Sequence, residues 1–492
     1  MDNYDVIVIG AGFGGVTTAA LLAKEGHRVL LLDKNNEAGG KGLTIKRHGH
    51  VYEMWGGVGV PANNSRFHEL VAAIGAQDKV EFLMPEGDVS ELHYKDVGGI
   101  WHHSLSRSDD PPTAQVDRLR SVFGATDEDL AAVGTMFNDV MALSDEDLDG
   151  LDEVGALDWL RGFGFRESLV TQFLTGIQFM FCAPVNRIPV SETVRTLRDT
   201  YTGGAGRYHR GGYGQVAEVA AEYVASHGGK YLPGTRVERI LVEDGRVAGV
   251  ATKDGEFRAP VVVSNAGIQP TVLKLIGPES FPAAYVEYVR RLEPSLACVG
   301  VRYFLDEPVL RAPMSLVYSD QSWWDDERYA AAQRGEWPDV SLLFVGVPCL
   351  FDDSLTENPN EQAAIMAAFS SPDPKSPMNE IAIEKAEATM REVWPEMFDH
   401  IIRREPYHAL HVSNMTRDAV VPGQGGEAIG VAQVIGQCGK SKPDVRAPLP
   451  GLYYVGCDAG GYGAGTHQAA DSGFKVAAIV AGDLAGRGSS VG

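Results

Sequence analysis

The first apolar run of the chain, Asp5-Val-Ile-Val-Ile-Gly10, is unbroken, rich in β-branched side chains and closed by glycine, a pattern that predicts a short, fully buried parallel strand. After a turn, the alanine- and leucine-rich residues 16–25 predict a helix, and Arg28-Val-Leu-Leu-Leu-Asp33 predicts a second strand. From residue 64 to about 201 the spacing becomes helical with polar punctuation, including a predicted loop over residues 104–112. Thr126-x-x-Asp129 and Ser144-x-x-Asp147 read as helix starts whose acids complement the dipole, so the acidic run 144–158 is capping and solvated surface rather than a metal site. Beyond the turn Arg207-Tyr-His-Arg-Gly-Gly-Tyr-Gly, residues 216–227 predict a helix. Glu243-Asp-Gly-Arg246 then predicts a hairpin turn between two strands, and Pro260-Val-Val-Val-Ser another buried strand. Residues 292–442 alternate predicted strands (297–304 and 340–347) with predicted helices (361–369 and 381–394).

The chemistry begins in the first β-α-β unit. Gly10, Gly12 and Gly15 form G-x-G-x-x-G between the first strand and the helix. The first glycine permits a tight turn, the second lets backbone approach a pyrophosphate, and the third lets helix and strand pack closely. An anion is favoured at such a helix N-terminus by unpaired N–H groups and the positive end of the dipole. Asp33, about 18 residues past the last motif glycine, stands where an acid grips an adenosine ribose. With 57 glycines in the chain the motif alone would say little. The surrounding strand, helix, second strand and acid make it a dinucleotide site.

After the second strand come Gly39, Gly40 and Lys41. The sequence V-x-V-I-G-A-G-x-G-G, then a ribose acid, then G-G-[RK], resembles the opening of the two-dinucleotide-binding-domain flavoproteins, which include phytoene desaturases and related carotenoid or retinoid oxidoreductases, and flavin amine oxidases. The resemblance implies an α/β fold: a Rossmann-like FAD-binding domain assembled from residues 1–65, 205–291 and 443–492, with an inserted α+β substrate domain from 66–204 and 292–442. It implies FAD contacts from Gly10, Gly12, Gly14, Gly15, Asp33, Lys34, Gly39, Gly40 and Lys41. Trp55, Gly56 and Gly57 would enter the flavin site, the Val237 backbone would meet the adenine, and Asn265 would end a strand nearby. At the other end Gly456, Asp458, Thr466, His467 and Gln468 would bring a last helix to the pyrimidine side of the flavin, where its dipole stabilises negative charge. Three departures are visible: Asp33 replaces the commoner glutamate, Lys41 the commoner arginine, and Trp55 stands where carotenoid desaturases carry glycine. A fourth departure displaces Thr466-His467 downstream from the family's usual position and weighs against carotenoid substrates.

Composition narrows the partners. A formal charge of −23, from 66 acidic and 43 basic residues, argues against nucleic acid and against electrostatic adsorption to anionic lipid. No run approaches the roughly 20 apolar residues that span a bilayer. Met1-Asp-Asn-Tyr leads directly into the first strand, so the expectation is a cytoplasmic protein, with peripheral membrane contact compatible. Five scattered cysteines without a C-x-x-C pair suggest neither disulfides nor a thiolate metal site, and His400, His408 and His411 lack a third ligand, so no metal is expected.

The resemblance implies an FAD-dependent dehydrogenase that desaturates an apolar terpenoid-like, carotenoid-like or cyclic substrate by hydride transfer to flavin. The aromatic and sulfur-rich residues 163–181 suit such a ligand, although helical core explains them as well. No second G-x-G-x-x-G unit is visible for a nicotinamide, so quinone or oxygen is expected to take the electrons. Candidates for proton transfer are His209, Tyr213, His411 and His467. Three other readings stay open: amine or alcohol oxidation, with Tyr453, Tyr454 and Tyr462 as cage candidates, redox-neutral polyene isomerisation, and a non-catalytic prenyl-lipid carrier.

Overall fold

Five parallel strands form the first sheet, and the chain visits them out of order. The computed structural model describes residues 4–55, 65–203 and 208–488. Across this sheet the order is Leu452–Tyr454, Val262–Ser264, Val6–Ile9, Val29–Leu32 and Lys230–Leu232, every neighbouring pair parallel. The first strand is central and wholly buried, as its unbroken apolar run requires. The helix Phe13–Lys24 packs between Gln215–Ser226 and Gly465–Gly488, which is why nearly all of it is buried and its sequence lacks a polar face.

The predicted hairpin forms from Val237–Glu243 and Arg246–Thr252. Asp244 and Gly245 both take positive φ, 49° and 71°, the pair of left-handed residues that a type I′ turn needs. Thr126 and Ser144 both make complete capping boxes.

A second sheet has seven strands in the order Ile401–Tyr407, Ala297–Leu305, Gln362–Ser370, Leu343–Gly346, Met314–Ser319, Asp88–Lys95 and Trp101–Arg107. All pairs are antiparallel except Met314–Ser319 with Asp88–Lys95. One of its faces packs on the helix Met378–Val393, and the other on helices that include Glu167–Phe181.

Two expectations are corrected here. The predicted helix 361–369 is the strand Gln362–Ser370, buried at every position and paired on both sides. Its alanines and methionine favour helix intrinsically, but two flanking strands satisfy its backbone and tertiary context overrides propensity. The region from residue 64, predicted as helices with polar punctuation, contains the hairpin Asp88–Lys95 and Trp101–Arg107, which runs through the start of the predicted loop 104–112. Its sheet neighbour lies more than 200 residues onward, so no local pattern announces it.

Candidate dinucleotide and substrate cavity

A cavity of about 1150 Å³ lies between the two sheets. This exceeds the roughly 300–1,000 Å³ of a site for one drug-sized ligand and leaves room for a dinucleotide beside a second molecule. From the parallel-sheet side its wall includes Gly10, Gly12, Asp33, Lys34, Gly39, Gly40, Lys41, Val237, Asn265 and Gly456. Trp55, Asp458, Thr466 and His467 also contribute. Gly56 and Gly57 fall outside the described residues.

The glycine loop has the form a pyrophosphate needs. A Cβ on Gly15 would sit 1.9 Å from the Gly10 carbonyl oxygen, and one on Gly14 would sit 2.8 Å from the Gly456 nitrogen. Gly14 and Gly15 therefore stand behind the wall and allow close packing, rather than lining the cavity as cofactor contacts. Gly39 N–H donates to the Ala11 carbonyl at 2.9 Å, which ties the second glycine pair to the first. The Asp33 carboxylate is buried and accepts from Ala11 N–H at 2.6 Å and Asn35 N–H at 2.7 Å. Burial raises its pKa, and those two backbone donors and Lys34 oppose the shift.

Next to Gly39 and Gly40, Lys41 donates from Nζ to the carbonyls of Glu427 at 2.6 Å and Ile429 at 3.2 Å. Burial lowers its pKa. Beside it a buried network turns on Arg417, which holds Asp458 at 2.7 Å and Glu427 at 2.7 Å. Both Asp458 oxygens are used up, since Ile268 and Val431 N–H also donate to them. Asp458 therefore lines the wall as a brace whose carboxylate is already occupied by protein donors. Gln468 is not among the lining residues, and it donates to the Cys457 carbonyl at 3.2 Å. Arg417 had no motif to mark it, because Asp458 and Gln269 reach it only through tertiary packing.

Among the proton-transfer candidates, Tyr213 and His467 line the cavity, whereas His209 and His411 do not. The Tyr213 hydroxyl pairs with Thr466 Oγ1 at 2.7 Å, and burial pushes its pKa up to about 12. His467 Nε2 accepts from Arg66 N–H at 2.9 Å, and burial brings its pKa down to about 4. His209 is likewise lowered to about 4 by burial, and its Nδ1 lies 2.8 Å from the Tyr213 carbonyl. Both rings are neutral at physiological pH and committed to backbone, so neither suits proton shuttling. His411 Nδ1 accepts from His408 N–H at 3.2 Å, a helix-start contact.

Glu53 is the titratable group that sequence reading missed. It lines the cavity, is 1% exposed, and accepts on Oε1 from the Tyr208 hydroxyl and, at 3.0 Å, from Tyr213 N–H. Its Oε2 is buried without a hydrogen-bond partner. Burial raises its pKa to about 6, with Tyr208 and Tyr213 opposing. Strand alternation could not have found it, because period two places Glu53 on the face of half-buried Val51, opposite buried His50 and Tyr52.

The other walls combine an apolar surface with charged side chains that include Glu91, Arg107, Arg118 and Asp199. Phe173, Phe179 and Met180 from Glu167–Phe181 face the cavity together with Leu92, Leu316 and Phe344 from the seven-stranded sheet, while Phe165 and Phe181 are core. The cage candidates lie elsewhere: Tyr453 binds Asp483, Tyr454 pairs with Tyr285, and Tyr462 is surrounded by Arg195, Lys442 and Lys475. Among the described residues no helix is long and apolar enough to cross a membrane.

A family model for flavin containing amine oxidoreductases matches residues 13–481. The chain is 26% identical over 418 residues to the inactive all-trans-retinol 13,14-reductase of Danio rerio, covering 75% of this chain and 66% of that protein. It is 26% identical over 295 residues to the neurosporene-forming phytoene desaturase of Cereibacter sphaeroides, covering 56% of this chain and 55% of that one. It thus spans less than two thirds of the length of these curated relatives. An oxidoreductase of Methanosarcina mazei shares the fold with a TM-score of 0.72 at 18% identity, covering 96% of this chain and 99% of the other.

Proposed function

We propose, from the premise that this chain belongs to the flavin containing amine oxidoreductase family, that it dehydrogenates an uncharged, largely apolar molecule at carbon. It is an FAD-dependent oxidoreductase resembling phytoene desaturases. When bound, FAD supplies the two-electron acceptor for a hydride from a C–H bond. The residues of this chain have three tasks: to hold the dinucleotide, to align the substrate and exclude water, and to take a proton.

Gly10, Gly12, Asp33, Gly39, Gly40 and Val237 hold the dinucleotide in this reading, all on one continuous wall. The apolar surface from Phe173, Phe179, Met180, Leu316 and Phe344 carries the substrate assignment, because burying a charge there would cost several kcal/mol without a partner. Glu53 accepts the proton lost from the carbon next to the one that gives up hydride. Its pKa near 6 leaves it ionised at neutral pH yet basic enough to accept a proton. Quinone or oxygen then removes the electrons.

The test is anaerobic bleaching of the bound flavin against terpenoids, cyclic ketones and alcohols, and amines, which needs no knowledge of the acceptor. Bleaching by apolar carbon substrates supports the reading, and bleaching by amines alone overturns it.

A further inference from the structure

Away from the dinucleotide cradle, the hairpin that the sequence concealed brings three metal-ligating side chains together. Glu91 and His93 are two residues apart on Asp88–Lys95 and so share a face, while His103 on Trp101–Arg107 is directly paired with His93. One ligand atom from each of the three lies within 4.8 Å of the others. Glu91 Oε1 is 3.1 Å from His93 Nε2 and 2.6 Å from His103 Nε2.

We propose that Glu91, His93 and His103 form a binding site for one divalent transition-metal ion of the zinc type. Two imidazoles and a carboxylate match the preferences of that ion, with water completing the shell. Ligand atoms around a tetrahedral ion with arms of about 2.0–2.1 Å lie about 3.3–3.4 Å apart, so Glu91 would part from His93 by about 0.2–0.3 Å and from His103 by about 0.7–0.8 Å, shifts that side-chain rotation at the exposed His103 can supply.

Two further observations separate this cluster from a solvated ion pair. His93 Nε2 is buried and makes no hydrogen bond of acceptable geometry, although it points at the Glu91 carboxylate. A buried nitrogen held 3.1 Å from a carboxylate in poor hydrogen-bond geometry is incompletely satisfied, and an ion between the two groups would satisfy both. The ligands are also held from behind. The Ser315 hydroxyl donates to Glu91 Oε2 at 3.3 Å, and the His93 ring meets Trp394 edge-on at 4.9 Å. Supporting contacts of this kind fix the orientation of ligands before metal arrives. Side-chain exposures of 13% for His93 and 15% for Glu91 against 52% for His103 leave an entry on the His103 side. The bound ion would clamp the two strands of the hairpin to each other and, through Ser315, to the next strand of the sheet.

The experiment uses the full chain with its flavin, stripped of metals by chelator and dialysed, then titrated with zinc chloride by calorimetry and with cobalt(II) by visible absorption. One equivalent is expected to bind with micromolar or tighter affinity, and cobalt(II) is expected to show the intense bands of a four- or five-coordinate site. His93→Ala and His103→Ala should each weaken binding by more than about tenfold. His102→Ala should not, because His102 pairs with Asp96 outside the cluster. Flavin absorbance reports that each variant is folded, and Glu91→Gln tests the carboxylate while keeping side-chain volume. Failure to saturate at one equivalent, or unchanged affinity in the His93→Ala/His103→Ala double variant, overturns the proposal, and the cluster is then an ion pair between imidazoles and a carboxylate.

Discussion

The Tyr208 hydroxyl donates to Glu53 Oε1 across 155 residues of chain, in a place where neither side chain reaches bulk water. That bond and the Tyr213 N–H hold one oxygen of the carboxylate and leave the other free. A carboxyl held in this way is both poised to react and costly to ionise, and each property is measurable.

For reactivity, the rate of flavin reduction by substrate should rise through an inflection near pH 6, as Glu53 loses its proton and becomes able to accept one. Glu53→Gln should lower the rate by about 10²–10⁴-fold and abolish that inflection, with flavin content unchanged. Tyr208→Phe removes a contact that favours the ionised form, so its inflection should move to higher pH. Stopped-flow reduction across pH 5–8 measures all three, and a Glu53→Gln enzyme with the wild-type profile would remove Glu53 from the mechanism.

For stability, the sign follows from the folded pKa of about 6 lying above the ordinary glutamate value of 4.5. Between those pH values the folded chain keeps a proton that the unfolded chain has released, so stability falls as pH rises through the window. Above pH 6 the penalty is complete, at about 2 kcal/mol. Glu53→Gln should therefore be more stable than wild type at pH 7 by up to that amount, and the gap should close below pH 4.5. Denaturant titrations of both proteins at pH 4.5 and pH 7 give the comparison.

Gly12→Val and Asp33→Ala should lose FAD before they lose the fold. A Cβ at residue 12 already approaches Asn265 Nδ2 to 2.8 Å and projects where the pyrophosphate must come close. Asp33→Ala removes acceptors for two backbone N–H groups and the ribose contact we propose for it, about 1.5–3 kcal/mol for each hydrogen bond to the charged group. Flavin-to-protein absorbance ratios and far-UV circular dichroism separate the two kinds of loss.

Cys457 lines the cavity, and the flavin is nonetheless expected to be noncovalent. Burial pushes the Cys457 thiol up to about 12, and its Sγ donates to the Gly465 carbonyl at 3.0 Å. The thiolate needed for attack on a flavin carbon is therefore absent at neutral pH. Acid precipitation should leave all the yellow colour in the supernatant, and colour retained in the pellet would reverse this reading.

What the sequence determined by itself was local. The first β-α-β unit lies within about 30 residues, so strand, glycine turn, helix and acid are read together, and Gly10 and Gly12 line the cavity at the turn between that strand and helix. The turn at Asp244 and Gly245 and the caps at Thr126 and Ser144 were legible for the same reason, because each is completed by residues three or fewer positions away. The tertiary structure decided everything that depends on partners distant in sequence. Gln362–Ser370 is a strand because strands on both sides take its hydrogen bonds, against the preference of its alanines for helix. Arg417 meets Asp458, Tyr208 meets Glu53, and His103 completes a cluster with Glu91 and His93 only after the sheets have formed. Burial, which sets the charge states of His209, His467 and Glu53, likewise arises only from packing, so the two histidines that looked able to move protons are held neutral while an unremarked glutamate is brought near pH 6.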